Sequence, residues 1–567
     1  MSIQSNQAPV AKYERADYER AVINSALWAV AGDALGWMTE LSRGTSGVEH
    51  RTGRKRVSET TEWKRVIGGR SGVTVDFPAG TYSDDTQLRL CVSRSIRGDG
   101  SFDVEAFAKV EVTTWQGYCL GAGVGSKAAA ANLSKRGVNW FSNFFATDQQ
   151  RYISAGGNGA AMRIQPHVWS ASGTLDEMIS RVLRDALVTH GHPHGFCGAI
   201  FHSLCLWEVL STRKVPSIES AMNFVSYMQE IPSAIERDSE LASLWEPTWE
   251  RETGKSLKQS IHEFQLEAQS DISKIKNIFG ASKSPDYHEI LHQLGCLTDK
   301  YRGSGFKTAL AALTLCQIYS PERIEEALAL SANELESDTD TITTMAGAML
   351  GALAKNEPNW ALQDIAYIRK EAGRMVSIAQ RERTSSFAYP DVSSWEPPSN
   401  QSDAVVRWQD SLALSGLGKL EPKGREYKSG PSIWQWFVLP FGQSIFAKRR
   451  AIIKGNTSGK QMPRNTPERP VDTRGSQNNK QQERLDFTVA EAQKRGGDAT
   501  DHQKPLPHLE RFPGLDKATD IIIASGFDNE IIGRLINLSI EETGGIEAAV
   551  GLSAIVAKAR LARMRRK

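Results

Sequence analysis

The spacing of apolar positions predicts a mainly helical protein. Between residues 11 and 40, small apolar side chains recur four positions apart at Val22, Ala26, Val30 and Ala34, which places them on one face of a helix. Helical spacing also predicts helices over residues 87–96, 104–115, 199–210, 308–318, 324–330 and 345–353. Because the alternation that is typical of strands is scarce over the first 380 residues, we predict an all-α fold.

Changes in composition divide the chain into segments. We expect a helical domain over residues 15–382, interrupted by a polar helical insertion at about 212–300. The Gly-, Arg- and Ser-rich residues 41–79 predict a long flexible connection that could act as a flap over the site. Pro, Ser and Gly predict a linker in the first part of 383–454, and its Trp-rich end predicts a segment that docks on its own domain or on a partner. Residues 455–513 are poor in large apolar side chains, which predicts disorder, and 514–567 are expected to form a small basic helical module.

Overall composition excludes several classes of protein. Of the 567 residues, 40% are hydrophobic and 24% charged, which is ordinary for a soluble globular protein. We expect no membrane span and, since the first ten residues lack an apolar signal core, a cytoplasmic protein. The six scattered cysteines are expected to be reduced thiols, because they form no Cys-x-x-Cys pair.

Charge is uneven along the chain. The net charge is +2, yet residues 441–567 carry 22 Lys and Arg against 15 Asp and Glu. The basic run from Lys558 to Lys567 is consistent with the solvated end of a helix. Contact of the C-terminal region with a partner or with nucleic acid is the alternative.

Two acidic clusters far apart in the sequence are the main candidates for chemistry. Ser83, Asp84 and Asp85 precede one predicted helix, and Asp338, Asp340 and Thr341 precede another. Four carboxylates in one cleft would repel one another unless cations neutralised them, and Mg²⁺ and Mn²⁺ prefer oxygen ligands. Capping of two helix N-termini is the alternative for either cluster alone. The presence of both favours a shared metal site.

A third acidic segment lies near the N-terminus, in Gly32-Asp33-Ala34-Leu35-Gly36 followed by Glu40. Burying a carboxylate among Ala and Gly costs several kcal/mol unless it is hydrogen-bonded. We therefore expect Asp33 to accept hydrogen bonds from backbone amides of a neighbouring loop. Glu40 lies beyond the second glycine, where a loop is expected to begin, and is more available for chemistry.

Glycine-rich loops supply candidate ligand contacts. Gly121, Gly123 and Gly125 open a predicted helix, and free amides at such a position can bind an anion; an ordinary turn between helices is the alternative. Gly157-Asn158-Gly159 permits close backbone approach to a ligand, or forms a plain tight turn. The histidines at 190, 192 and 194 could bind zinc, but no nearby cysteine or carboxylate completes such a site, and a polar loop is favoured.

In chain order, the motifs resemble those of the ADP-ribosylglycohydrolase family over roughly residues 17–380. The motifs are Gly32-Asp33-x-x-Gly36-x-x-x-Glu40, Ser83-Asp84-Asp85-Thr86, the glycine loop at 121–125, Gly157-Asn158-Gly159-x-x-Met162-Arg163, Thr189-His190 and Asp338-Thr339-Asp340-Thr341. The resemblance implies an all-α fold with two divalent cations, Mg²⁺ or Mn²⁺, that cleaves the N- or O-glycosidic bond of an ADP-ribosylated acceptor and releases ADP-ribose. It implies metal ligands Ser83, Asp84, Asp85, Asp338, Asp340 and Thr341; substrate contacts Gly121, Gly123, Gly125, Gly157, Asn158, Gly159, Met162 and His190; and catalytic residues Glu40 and Asp85.

Two positions depart from the family pattern. Ser83 stands where the family commonly has Thr, and Glu336-Ser337 stand where two glycines usually precede the second cluster. Ser83 keeps the hydroxyl oxygen, whereas Glu336-Ser337 leave a catalytically inactive ADP-ribose-binding adaptor as one alternative. A binuclear phosphoester hydrolase is a separate alternative. The sequence leaves open whether the substrate is a modified protein, a nucleic acid or a small molecule, and whether the acceptor atom belongs to arginine, serine or a base.

Overall fold

A computed structural model describes residues 7–69, 72–282, 285–465, 511–543 and 547–564. Contacts divide the chain into two units, residues 1–466 and 467–567, and each is described by itself. The first unit is predominantly helical, which confirms the predicted fold class. Its helices are α1 (Arg15–Thr39), α2 (Gly44–Thr52), α3 (Asp84–Ser95), α4 (Val104–Ala106), α5 (Thr113–Trp115), α6 (Val124–Leu133), α7 (Gln165–Trp169), α8 (Leu175–Leu187), α9 (Pro193–Thr212), α10 (Ile218–Tyr227), α11 (Ile231–Glu236), α12 (Glu246–Thr253), α13 (Leu257–Ala281), α14 (Tyr287–Leu294), α15 (Gly305–Ile318), α16 (Ile324–Ala332), α17 (Thr339–Gly351) and α18 (Ile365–Ala379).

Helices α1 and α17 form the central pair of this unit. They run antiparallel, because Gly36 lies against Thr339 and Gly32 lies against Thr343 one helical turn away. The approach is so close that a Cβ at Gly36 or Gly32 would lie 2.3 or 2.2 Å from the opposing carbonyl oxygen. Hydroxyls complete the contact, since Oγ1 of Thr339 donates to the carbonyl of Gly36 at 2.9 Å. The C-terminal end of α1 is thereby placed beside the N-terminus of α17.

The segment 41–79 is more ordered than its composition predicted. Helix α2 is followed by two strands, β1 (Trp63–Ile67) and β2 (Val73–Phe77), which pair antiparallel in a hairpin with Trp63 opposite Phe77. Trp63 and Phe77 are buried, whereas Lys64 and Val66 of the same hairpin are exposed. One face of the hairpin is therefore part of the core, which fixes a segment that we expected to be flexible.

Residues 405–450 contain strands, where we expected a linker that ends in a Trp-rich docking segment. They form two antiparallel sheets, with strand orders β3-β4-β5 and β6-β7-β8. The strands are β3 (Val405–Trp408), β4 (Ser411–Leu414), β5 (Gly418–Lys419), β6 (Glu421–Ser429), β7 (Ser432–Val438) and β8 (Ser444–Arg450). Leu414, Trp434 and Phe437 are buried in the same core as the helices. This burial of apolar area explains why the segment is structured although its flanks are rich in Pro and Ser.

Helix α9 is long and apolar enough to cross a membrane by length and composition, but 89% of its most apolar stretch is buried inside the fold. It packs against α15 and α8, so we interpret it as a core helix. The cysteines at 91, 119, 197, 205, 296 and 316 are free thiols, of which all but Cys119 are buried.

The second unit contains three described helices, α19 (Leu515–Ala524), α20 (Asn529–Thr543) and α21 (Glu547–Met564). Ala518, Ile522, Leu535 and Leu552 form its small core. Most of the segment predicted to be disordered, 466–510, lies outside the described residues, as do residues 565–567 at the end of the basic run.

Candidate active site

A cleft of about 400 Å³ in the first unit brings the predicted site residues together. Both acidic clusters contribute to its wall, together with Glu40 and the two glycine loops. Of the predicted residues, the cleft is lined by Glu40, Asp84, Asp85, Gly121, Gly123, Gly125, Gly157, Asn158, Gly159, Met162, His190, Asp338, Asp340 and Thr341. Ser83 is the exception, because its side chain is fully buried behind the wall. The structure thus places the residues in one cleft, while their chemical roles stay predictions.

The first acidic cluster is held in place by Asp33 of α1. One carboxylate oxygen of Asp33 accepts from the backbone amide of Ser83 and the other from that of Thr86, each at 2.9 Å. These amides belong to the N-terminus of α3, whose dipole favours a negative charge. Asp33 therefore has the structural role that we expected, and it orients Asp84 and Asp85 towards the cleft.

Helix capping explains only part of the acidic composition. The hydroxyl of Ser83 accepts from the amide of Asp85 at 3.2 Å and so caps α3. This bond uses the oxygen that we expected as a metal ligand. Asp338 stands at the N-cap of α17, yet its side chain makes no capping bond. Capping therefore accounts for Ser83 but not for the carboxylate of Asp338.

The two clusters meet directly. Oγ1 of Thr341, in the first turn of α17, lies 3.3 Å from Oδ1 of Asp85 in α3. Asp84, Asp85, Asp340 and Thr341 are all buried. Segments separated by some 250 residues thus share one polar pocket.

Burial and mutual repulsion make these carboxylates difficult to ionise. Desolvation raises the pKa of Asp84, Asp85 and Asp340 well above the usual range, and like charges on neighbouring acidic side chains raise it further. The negative charges come from Glu40, Asp33 and Asp338. Such a set needs either protons or added positive charge.

The donors fit hard divalent cations in their chemistry. They are carboxylate and hydroxyl oxygens, which Mg²⁺ and Mn²⁺ prefer, and Oδ2 of Asp85 is buried without a hydrogen-bond partner among the described residues. As the side chains stand, however, no group of three or more His, Cys, Asp or Glu in the described ranges is arranged to hold a metal ion. The backbone thus brings the oxygen donors to one cleft, but their side-chain atoms do not surround a common metal position.

Glu40 caps the C-terminus of α1 at the edge of the same cleft. Both terminal nitrogens of Arg65, on β1, donate to its Oε2 at 3.2 Å. Burial raises the pKa of Glu40, and the Arg65 guanidinium opposes that shift. Arg51 donates to the main-chain carbonyl of Glu40 at 2.7 Å, so both the backbone and the carboxylate of Glu40 are held.

The first glycine loop lies against the first acidic cluster. Gly121 has a φ of +86°, and a Cβ at this position would lie 2.9 Å from Oδ1 of Asp84. A glycine is required there for both conformation and space. Gly123 stands at the N-cap of α6, and a Cβ there would meet no atom within 4 Å, so the N-terminus of the helix borders the cleft with open space at this residue.

The second glycine loop is held by two partners. Its backbone pairs with the start of α15, where the amide of Asn158 donates to the carbonyl of Gly303 at 2.8 Å. Below it, the fully buried guanidinium of Arg163 donates to the carbonyl of Gly159 at 3.0 Å and to a carboxylate oxygen of Asp185 at 2.8 Å. Arg163 thus supports the loop from the protein interior and does not line the cleft.

His190 lies beside this loop. A Cβ at Gly157 would lie 3.6 Å from Nε2 of His190, and a Cβ at Gly159 would lie 3.0 Å from Cε1 of the same ring. Burial lowers the pKa of His190 to about 3, which keeps the imidazole neutral. Its Nδ1 pairs with Oγ1 of Thr189 at 2.7 Å, so Nε2 is the ring atom turned towards the loop.

The other two histidines belong to a second cleft, of about 320 Å³. Nδ1 of His194 pairs with Ser304 at 2.8 Å and its Nε2 with Glu267 at 3.1 Å. His192 accepts from the amide of His194 and caps α9. His192 thus precedes the helix, whereas His194 lies in the first turn of α9 and pairs with Glu267, a carboxylate partner that the sequence analysis did not identify.

Several cleft residues were missed by the sequence analysis. Gln150, Asp299 and Gly303 line the cleft, and Arg65 contacts Glu40. The glycines at 303 and 305 were the visible signal in the sequence: a Cβ at Gly305 would lie 2.5 Å from the carbonyl oxygen of His194, and one at Gly303 would lie 3.5 Å from Oδ2 of Asp338. Glu336, which departs from the family pattern, is exposed and does not fill the cleft.

Comparisons with known proteins concern the family of the chain. A family model described as ADP-ribosylglycohydrolase matches residues 14–384. The chain is 24% identical to ADP-ribosylhydrolase ARH3 of Xenopus tropicalis over 51% of this chain and 78% of that protein, and 26% identical to ADP-ribosylhydrolase ARH3 of Danio rerio over 48% and 69%. It is also 26% identical to ADP-ribosyl-[dinitrogen reductase] glycohydrolase of Rhodospirillum rubrum over 31% of this chain and 53% of that protein.

Proposed function

The chain belongs to the ADP-ribosylglycohydrolase family, and from this premise we propose that it hydrolyses the N- or O-glycosidic bond between ADP-ribose and an acceptor, releasing ADP-ribose. The observation that supports this most is the meeting of Glu40 and the two acidic clusters in a cleft whose other walls are glycine loops. Relatives whose names state this class of activity match 51% and 31% of this chain.

We propose that the cleft binds two divalent cations, Mg²⁺ or Mn²⁺. Asp84, Asp85, Asp338, Asp340 and Thr341 would hold them, and Ser83 would support α3 as its cap. When bound, such ions orient hydroxyl groups and stabilise developing negative charge. They would also offset the repulsion that raises the pKa values of Asp84, Asp85 and Asp340.

The glycine loops would hold the substrate on its ADP side. The amides at the N-terminus of α6 suit a diphosphate, because they carry partial positive charge and nothing covers them at Gly123. The second loop, from Gly157 to Gly159, lets a ribose approach the backbone closely. Neutral His190 can exchange a hydrogen bond with a ribose hydroxyl through Nε2 without adding charge.

Glu40 would carry the proton transfer. The bond at the anomeric carbon breaks with oxocarbenium character, and a carboxyl group assists when it is protonated at working pH. Burial of Glu40 raises its pKa, which favours a role as acid towards the departing acceptor and then as base towards the attacking water. Asp85, in contact with Thr341, is the second carboxylate that we propose for catalysis.

The alternatives predict different products. An inactive adaptor would bind ADP-ribose without hydrolysis, and a phosphoester hydrolase would release phosphate. The feature that suggested the adaptor was Glu336, and its side chain is exposed. The arrangement around Glu40 gives no comparable support to either alternative.

The test is an assay of ADP-ribose release from ADP-ribosylated arginine peptide, serine peptide, DNA and RNA, with Mg²⁺ and with chelator. We expect release from at least one substrate, loss with chelator, and loss in Asp340→Asn. Asp148→Asn is the matched control, because Asp148 is an exposed loop residue. Circular dichroism should show the same helical content in both variants.

Two results would overturn the proposal. Release of phosphate in place of ADP-ribose would support the phosphoester alternative. Wild-type rates in Asp340→Asn would remove the proposed metal site from the reaction.

A further inference from the structure

We propose that Arg65 selects the acceptor: its guanidinium occupies the place beside Glu40 that the guanidinium of an arginine acceptor would take, so the enzyme acts on neutral, oxygen-linked acceptors in preference to guanidinium-linked ones. This inference rests on the proposed function, because it places the departing acceptor next to Glu40. Arg65 is then a positioning residue, which acts through Glu40 and through its own charge.

The contact between the two side chains is the first observation. Both terminal nitrogens of Arg65 donate to Oε2 of Glu40 at 3.2 Å. The two side chains are only 16% and 14% exposed, so the pair is shielded from solvent and from screening by salt. One oxygen of Glu40 is thus engaged by a guanidinium that belongs to the protein, and Oε1 is left for a substrate.

The position of Arg65 is fixed from one side by Trp37. The guanidinium carbon lies 5.5 Å from the centre of the indole ring, which is within cation–π range. Trp37 belongs to α1, three residues before Glu40, and is fully buried. The cation and the carboxylate are therefore held by the same helix end.

The hairpin that carries Arg65 is held from the other side by aromatic packing. The aromatic cluster around it consists of Trp37, Trp63, Phe77, Trp436 and Phe446. The centres of neighbouring rings in this cluster lie 4.8 to 6.1 Å apart. Trp436 and Phe446 lie in the sheet β6-β7-β8, beyond the segment 14–384 that matches the family model. At the hairpin tip, a Cβ at Gly68 would lie 2.8 Å from Trp434 of the same sheet. An added sheet thus braces the strand that presents Arg65.

The consequence for the acceptor follows from charge. An arginine acceptor linked through its guanidinium carries a positive charge next to the bond that breaks, whereas a serine O-glycoside is neutral there. At a separation of a few ångströms in a partly buried site, like charges repel by enough to change a rate about tenfold or more. The arginine acceptor would also compete with Arg65 for Glu40, which a neutral oxygen acceptor does not.

The experiment compares kcat/KM for one peptide ADP-ribosylated on serine and the same peptide ADP-ribosylated on arginine, with the full chain and Mg²⁺. We expect the wild type to prefer the serine-linked peptide. Arg65→Gln removes the charge but keeps a hydrogen-bond donor, and it should raise the arginine-to-serine ratio of kcat/KM about tenfold. Arg65→Lys keeps the charge and should keep the wild-type ratio, with lower kcat on both peptides because the two-nitrogen contact is lost.

Lys64→Ala is the matched control, because Lys64 precedes Arg65 on the same strand, is exposed and pairs with Asp76. It should leave the ratio unchanged. If circular dichroism shows that Arg65→Gln does not fold, Arg65→Ala serves as the second uncharged variant. A wild-type preference for the arginine-linked peptide, or the same ratio in the uncharged variants and the wild type, would overturn the inference and leave the proposed function standing. Release from neither peptide, nor from any other ADP-ribosylated substrate, by the wild type would overturn both.

Discussion

Replacing Gly36 by alanine tests whether the close contact between α1 and α17 builds the site. The new Cβ would lie 2.3 Å from the carbonyl oxygen of Thr339 and 2.6 Å from Cα of Asp340. Both are backbone atoms, so no side-chain rotation can relieve the clash. Reaching an ordinary contact of 3.4 Å requires about 1 Å of movement of the first turn of α17. That turn carries Asp340 and Thr341.

Two magnitudes follow from this displacement. Overpacking typically costs about 1–3 kcal/mol, and the better helix propensity of alanine returns up to about 1 kcal/mol, so we expect a net loss of about 1–2 kcal/mol in the free energy of unfolding. A misplacement of about 1 Å in a catalytic site can lower the rate about a hundredfold. Because a loss of about 1–2 kcal/mol leaves a domain of ordinary stability almost entirely folded, the fall in activity should come from the displaced site and not from unfolding.

The assay measures urea unfolding and the rate of ADP-ribose release in Gly36→Ala and in a matched helical control, Gly373→Ala. Gly373 lies within α18, and a Cβ there meets no atom within 4 Å. The control should be as active as the wild type and slightly more stable. If Gly36→Ala behaved like Gly373→Ala, with full activity and no loss of stability, the proposed role of this helix contact would be refuted.

Two further predictions concern stability. Arg163→Ala would leave the buried carboxylate of Asp185 without its cation, and we expect a loss of about 3–5 kcal/mol in the free energy of unfolding, measured by urea denaturation; a loss below 1 kcal/mol would contradict it. Burial lowers the pKa of His202 to about 3, whereas an unfolded histidine titrates near about 6.5. Below that pH the unfolded chain binds a proton that the folded chain does not bind until about pH 3, so this histidine makes the free energy of unfolding fall as the pH falls. His202→Asn should therefore lose less stability than the wild type between pH 7 and pH 5, and equal losses would refute the assignment.

The parts of the site that could be predicted are those that a short stretch of sequence reveals by itself. Asp33 is a carboxylate among small residues, and its need for hydrogen-bond donors could be inferred without knowing which amides supply them. The acidic clusters were visible because adjacent carboxylates before a helix are conspicuous. Their convergence was inferred from the preference of several carboxylates for shared cations and was supported by the family resemblance, since spacing alone does not indicate which distant segments meet.

The parts that were missed depend on long-range packing. Gly347 and Gly351 allow α17 to approach Trp28 of α1, but a glycine in a helix does not indicate its partner. Arg65 lies in a short strand within a polar segment, and only the fold brings it to Glu40. The strands between 405 and 450 were missed because their flanking Pro and Ser residues dominate the composition, while their buried aromatic residues are stabilised by contacts far away in the sequence.

The most direct test of the central claim, that the two acidic clusters form one cation site, is the affinity for Mn²⁺ measured by electron paramagnetic resonance. The comparison is between the wild type and two variants, Asp85→Asn in the first acidic cluster and Asp340→Asn in the second. We predict that each substitution alone weakens Mn²⁺ binding by at least about tenfold, because each removes a charged ligand from the shared site. Wild-type affinity in either variant would contradict the claim.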